Sequence, residues 1–144
     1  MARPSTDPIE KSGSASPSPV LTIQGMVRSG CGRATQAFTE QRCEELRMLF
    51  GWRPYPGTLN LSVKELDLLI SRLGPPDEQT EHETRIGPLR WWQASLAIMG
   101  KRLPVLIVRG LKSRTTYLEV AAPIKLRELG LADGRTVLLT RGRP

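Results

Sequence analysis

Residues 20–28 (VLTIQGMVR) partly alternate apolar and polar side chains, the period of a half-buried strand that opens the fold. After S-G-C-G at 29–32 breaks that run, the spacing becomes helical. Cys43, Leu46, Leu49 and Phe50 fall on one face of residues 40–50, with Thr39 placed to cap the start and Gly51 the end. A second stripe, Leu66, Leu69, Ile70 and Leu73, follows S-V-K-E at 62–65, which reads as a capping box. G-P-P at 74–76 stops it, and residues 74–86 read as a polar, mobile connection.

Strand periods return afterwards. Residues 89–98 and 103–108 flank a predicted hairpin turn at Gly100-Lys101. Residues 115–121 read as a strand, and Pro123 suits the first turn of a short helix over 124–129, ended by Gly130. A turn at 132–134 leads to a last strand over 136–140. Together with a strand at 58–61, five or six short strands and a few helices predict a mainly β fold, a small barrel with short α-helices. Residues 1–19 hold Pro4, Pro8, Pro17 and Pro19 among serines, with few large apolar groups. They cannot offset their ordering entropy, so one domain over 20–144 is expected behind a disordered tail.

Composition sharpens this picture in three ways. The chain of 144 residues is 39% hydrophobic and 24% charged, which suits one globular domain. Neither a bilayer-spanning run nor a secretory leader is readable, and Cys31 and Cys43 make no disulfide framework, so a reduced cytoplasmic setting is expected. His82 is the one histidine and lies among glutamates, which argues against a histidine triad or a multi-histidine metal site. The net charge of +7 favours an anionic partner: nucleic acid, a nucleotide or a phosphorylated metabolite.

Four segments offer chemistry. In G-W-R-P-Y-P-G-T-L-N-L at 51–61, strand alternation puts Leu59 and Leu61 on one face and Thr58 and Asn60 on the other. That pair presents a hydroxyl and an amide oxygen about 6–7 Å apart along the strand, either a solvated polar face or oxygen ligands for magnesium beside phosphates. The glycines of S-G-C-G-R-A-T at 29–35 allow backbone amides to approach a phosphate, although this is neither a Walker A loop nor a full G-x-G-x-x-G. Glu119 sits inside an apolar strand and must find solvent, a partner or a polar site. Lys125 and Arg127 stand in the first turns of a short helix, where an anion nearby would favour them. Trp91-Trp92, with Trp52 and Tyr55, offers a stacking surface, of which strand alternation lets one neighbouring tryptophan line any given pocket.

Taken in order, I-Q-G-M-V-R-S-G-C-G at 23–32, the 51–61 segment, L-E-V-A-A-P-I-K-L-R-E at 118–128 and L-A-D-G at 131–134 resemble the CTP-dependent riboflavin kinase family. The resemblance covers roughly residues 21–141. It implies a six-stranded cradle-loop barrel that transfers the terminal phosphate of CTP to riboflavin, giving FMN and CDP with Mg²⁺. Carried over by position, Thr58 and Asn60 match the magnesium ligands. Gly30, Cys31, Gly32, Arg33, Ala34 and Thr35 match the nucleotide loop, and Ile124, Lys125, Leu126 and Arg127 match a second nucleotide-contacting segment. Glu119 matches the flavin-contacting acid; on chemical grounds a carboxylate beside the acceptor hydroxyl is suited to orient it and to accept its proton. The chain departs from the family's usual Glu-Gly at Arg33-Ala34. It also has Leu111 where the family carries a flavin-contacting threonine, with Ser113, Thr115 and Thr116 the nearest hydroxyls. The alternative from the residues is a non-catalytic basic barrel that binds nucleic acid, a flavin or a nucleotide.

Overall fold

The computed structural model describes residues 20–28, 38–80 and 87–142. In chain order these form β1 (Leu21–Arg28), α1 (Glu40–Phe50), β2 (Leu59–Ser62), α2 (Leu66–Leu73), β3 (Glu78–Gln79), β4 (Leu89–Ile98), β5 (Lys101–Gly110), β6 (Leu118–Ala121), a 3-10 turn (Leu126–Leu129) and β7 (Thr136–Arg141). Every strand pairing is antiparallel. The ring runs β4-β5-β6-β2-β1-β7 and closes where β7 returns to β4, giving a six-stranded barrel with β3 as an extra edge strand.

Alternation divides the apolar residues between two cores. Ile23, Val27, Leu59, Leu61, Trp92, Ile107, Leu118, Val120 and Leu139 fill the interior, and α2 adds Leu69 and Leu73. A second core lies on the outer face of β4, β5 and β6, where α1 lays Cys43 and Leu46 against Trp91, Leu106, Val108 and Ala121. The consecutive tryptophans therefore serve different cores, and both are buried. Burial removes both as a stacking surface for a flat ligand.

One rung of the barrel is closed by side chains. β4 shares one edge between β3, at Arg90 and Trp91, and β7, at Ser95 to Ala97. In the gap Asp77 accepts from the Gln93 N–H (2.6 Å), and Arg141 donates to the Gln93 carbonyl (2.8 Å) while bridging Asp77 (2.7 Å). Burial alone would raise the Asp77 carboxyl. The hydrogen bonds from Arg141 and Gln93 outweigh it and hold the group below its usual value. A depressed carboxylate contributes stability that is complete above its unfolded value and is lost as pH falls through the folded one. Asp77→Asn should therefore cost about 1–2 kcal/mol at neutral pH, read by urea unfolding, and the difference from wild type should shrink at strongly acid pH.

Several local expectations are corrected. α1 and its Thr39 cap stand as read, Thr39 accepting from the Arg42 N–H (3.1 Å), and Gly51 closes the helix at φ 87°. Leu49, however, is 52% exposed and lies off the buried face. The capping box does not form: Ser62 is held in β2 opposite Met26, and Glu65 takes the cap position in a left-handed conformation with no side-chain bond. The hairpin turns at Met99-Gly100, since Ile98 pairs with Lys101, one residue earlier than expected. The polar connection contains β3, the predicted strand at 115–121 begins only at Leu118, and the short helix at 124–129 is a 3-10 turn over Leu126–Leu129. The tail at 1–19, the glycine loop at 29–35, His82 and Cys31 lie outside the described residues.

Candidate functional site

Three strands build the site on the outer face of the barrel. The P-Y-P-G turn enters β2 with the Tyr55 N–H donating to the Ala122 carbonyl (2.7 Å), which ties this turn to the end of β6. Leu59 and Leu61 then enter the interior core, so Asn60 must face outward. β2 lies between β1 and β6, and the register sets Arg28, Asn60, Glu119 and Val108 side by side across β1, β2, β6 and β5. A cation, a carboxamide and a carboxylate thus share one row and one face.

Thr58 and Asn60 converge on the same carboxylate. The Thr58 hydroxyl donates to Glu119 Oε1 (3.0 Å), a link between residues 61 positions apart. Asn60 sits directly opposite Glu119, and its Oδ1 is buried without any hydrogen-bond partner. An orphaned buried acceptor costs about 1–3 kcal/mol, so the fold holds this oxygen at a loss to itself. Burial pushes the Glu119 carboxyl above its usual range, and the Thr58 hydroxyl and the Arg109 charge partly oppose that shift. A part-buried carboxylate raised in this way holds a proton more readily than a solvated one, which suits it to proton transfer.

The segment before β6 is organised by Arg109, which is buried (9% exposed). Its guanidinium donates to Thr115 Oγ1 (3.0 Å) and to the carbonyls of Thr115 (3.1 Å), Tyr117 (3.4 Å) and Ser113 (3.5 Å). Ser113 and Thr115 also bond each other through their hydroxyls (3.2 Å), so both are occupied in this clamp. Thr116 is exposed and takes no part in it. Arg28 reaches across to stack over the Tyr117 ring, 5.0 Å from its centroid.

The second basic segment lies next to the row. Ile124 and Lys125 are exposed, whereas the Leu126 side chain belongs to the interior core, which leaves it only backbone atoms for any ligand. Arg127 pairs with Asp133 (2.7 Å) and donates to the Arg28 carbonyl (3.3 Å), tying this segment to the end of β1. The structure therefore brings Thr58, Asn60 and Glu119 together and sets Arg127 beside the same strand end. Residues 30–35 cannot be placed against them, since they fall outside the described residues.

Sequence reasoning missed Arg109, whose signal was a basic residue ending the apolar run of β5, and treated Arg28 only as part of a motif. Cys43 is buried, and burial raises its thiol, which suits packing and not nucleophilic chemistry. Among the described residues no group of three or more His, Cys, Asp or Glu is gathered to hold a metal, and no helix is long and apolar enough to cross a membrane. A family model described as a domain of unknown function, DUF120, matches residues 27–140. No curated protein matches the chain.

Proposed function

The chain belongs to the CTP-dependent riboflavin kinase family, and on that premise we propose that it moves the terminal phosphate of CTP to the primary hydroxyl of riboflavin, giving FMN and CDP, with Mg²⁺ at Thr58 and Asn60. Membership makes it a transferase that phosphorylates riboflavin. The choice of donor, the metal and the roles of individual residues are our reading. One observation supports it above all: the unpartnered buried Oδ1 of Asn60, beside a carboxylate already oriented by Thr58.

The donor set fits a hard cation. Asn60 Oδ1 has both lone pairs free, and Thr58 Oγ1 uses its proton on Glu119, which leaves its lone pairs available. Two neutral oxygens suffice where the nucleotide's phosphates supply the negative charge. When bound there, Mg²⁺ would neutralise charge on those phosphates.

The chain's own residues have separate tasks. Glu119 binds and orients the acceptor hydroxyl and accepts its proton; Thr58 occupies Oε1, so Oε2 faces that duty. Residues 30–35 and 124–127 hold the nucleotide, Leu126 through its backbone. Thr116, the exposed hydroxyl beside the Arg109 clamp, replaces the threonine that the family places upstream of its glutamate. Such a reaction depends on position and charge more than on a strong nucleophile, so a site without histidine is adequate.

The test is incubation with riboflavin, Mg²⁺ and each nucleoside triphosphate in turn, with chromatographic detection of FMN. We expect FMN with CTP at a rate at least about tenfold above the other donors, and none after chelation of the metal. FMN from ATP alone would correct the donor. No FMN from any of the four would sink the reading.

A further inference from the structure

The row across β1, β2 and β6 contains one charged residue with no assigned task. Resting on the reading above, we propose that Arg28 is a catalytic residue that contacts the transferring phosphoryl group and offsets its charge in the transition state. Three observations carry this. Arg28 pairs in register with Asn60, and opposed residues of an antiparallel pair hold their Cβ atoms roughly 4.5–5.5 Å apart on one face. Its guanidinium extends from β1 to the Tyr117 ring ahead of β6, so it must cross β2 over the face that carries Asn60. Its backbone carbonyl is held by Arg127, in the segment assigned to the nucleotide.

Arg28 therefore stands where the donor side meets the acceptor side. Arg127 ties its main chain to the former, and its side chain rests on the residue two before Glu119. Among the described residues no carboxylate pairs with this guanidinium, which rests on an aromatic face that a stronger anion can displace. The step itself balances simply. The acceptor oxygen forms a bond to the terminal phosphorus as the bond from that phosphorus to the bridging oxygen breaks. The hydroxyl proton passes to Glu119, and the nucleoside diphosphate carries away the bridging electrons. Charge spreads over the three equatorial oxygens during transfer, and a planar guanidinium matches two of them at once.

The experiment compares Arg28→Gln and Arg28→Lys with wild type for kcat, for both KM values, and for riboflavin affinity by quenching of its fluorescence. Arg28→Gln should lower kcat by about 100-fold or more while riboflavin affinity stays within about threefold. Arg28→Lys should recover about tenfold of that loss, since it restores the charge without the fork. A Gln variant with wild-type kcat, or one that loses kcat only together with riboflavin affinity, overturns the inference. If Arg28→Gln does not fold, Arg28→Lys decides by the same split: lowered kcat at constant affinity supports the role, and unchanged kcat refutes it. A wild type that forms no FMN defeats the proposed function as well, and that result appears before any variant is made.

Discussion

Asn60→Leu is expected to abolish riboflavin phosphorylation, with a fall in kcat of at least about a thousandfold, in a protein that remains folded. The two side chains are close in size, so no large cavity opens. The buried oxygen that leucine removes has no partner to lose. Replacing an unsatisfied buried acceptor with an apolar group should leave stability unchanged or raise it by about 1 kcal/mol. Activity and stability thus move in opposite directions, which separates a functional role from a structural one. Chromatographic assay of FMN beside a thermal melt provides the check. Turnover retained in the variant would remove Asn60 from the reaction.

Glu119→Gln should lower kcat by about 10²–10⁴-fold, the usual contribution of a positioned proton acceptor. Its second signature is in the pH profile. Burial raises the Glu119 carboxyl, Thr58 and Arg109 only partly opposing it, and the reaction needs the ionised form. Activity should therefore rise with pH through that raised value, and the acid limb should lie above the range of an ordinary glutamate. The residual rate of Glu119→Gln should lack the limb. The same shift acts on folding in the opposite sense. A carboxyl raised in the folded state favours the fold below its unfolded value, and this contribution fades as pH climbs through the folded one. Urea unfolding of Glu119→Gln across that interval would show it.

Much of this site was legible because it rests on a period of two. Alternation separates Thr58 and Asn60 from Leu59 and Leu61, and the structure keeps that division. Glu119 stood out as a charge in an apolar strand, and its partner proves to be Thr58. What alternation does not contain is adjacency. Nothing local in residues 58–61 says that β2 lies between β1 and β6, so the row from Arg28 to Glu119 exists only once the barrel closes. Local readings failed where a distant pairing overrode them. Ser62 looks like a cap until β1 holds it in the sheet, and the hairpin shifts by one residue because the whole length of β4 sets its register on β5. Arg109 left only a faint signal for a related reason: apart from the Thr115 hydroxyl, its acceptors are backbone carbonyls, which leave no mark in the sequence.

The way the ring is sealed has a consequence for how the protein comes to exist. β7 is the last strand in chain order, yet it joins β1 to β4. On a ribosome, every other stave is available before the one that completes the cylinder. Until residues 136–141 emerge, β1 and the far half of β4 present raw backbone edges, the kind that recruit neighbouring chains. Damage to this short segment should therefore show first as clumping during synthesis, ahead of any loss in chemistry.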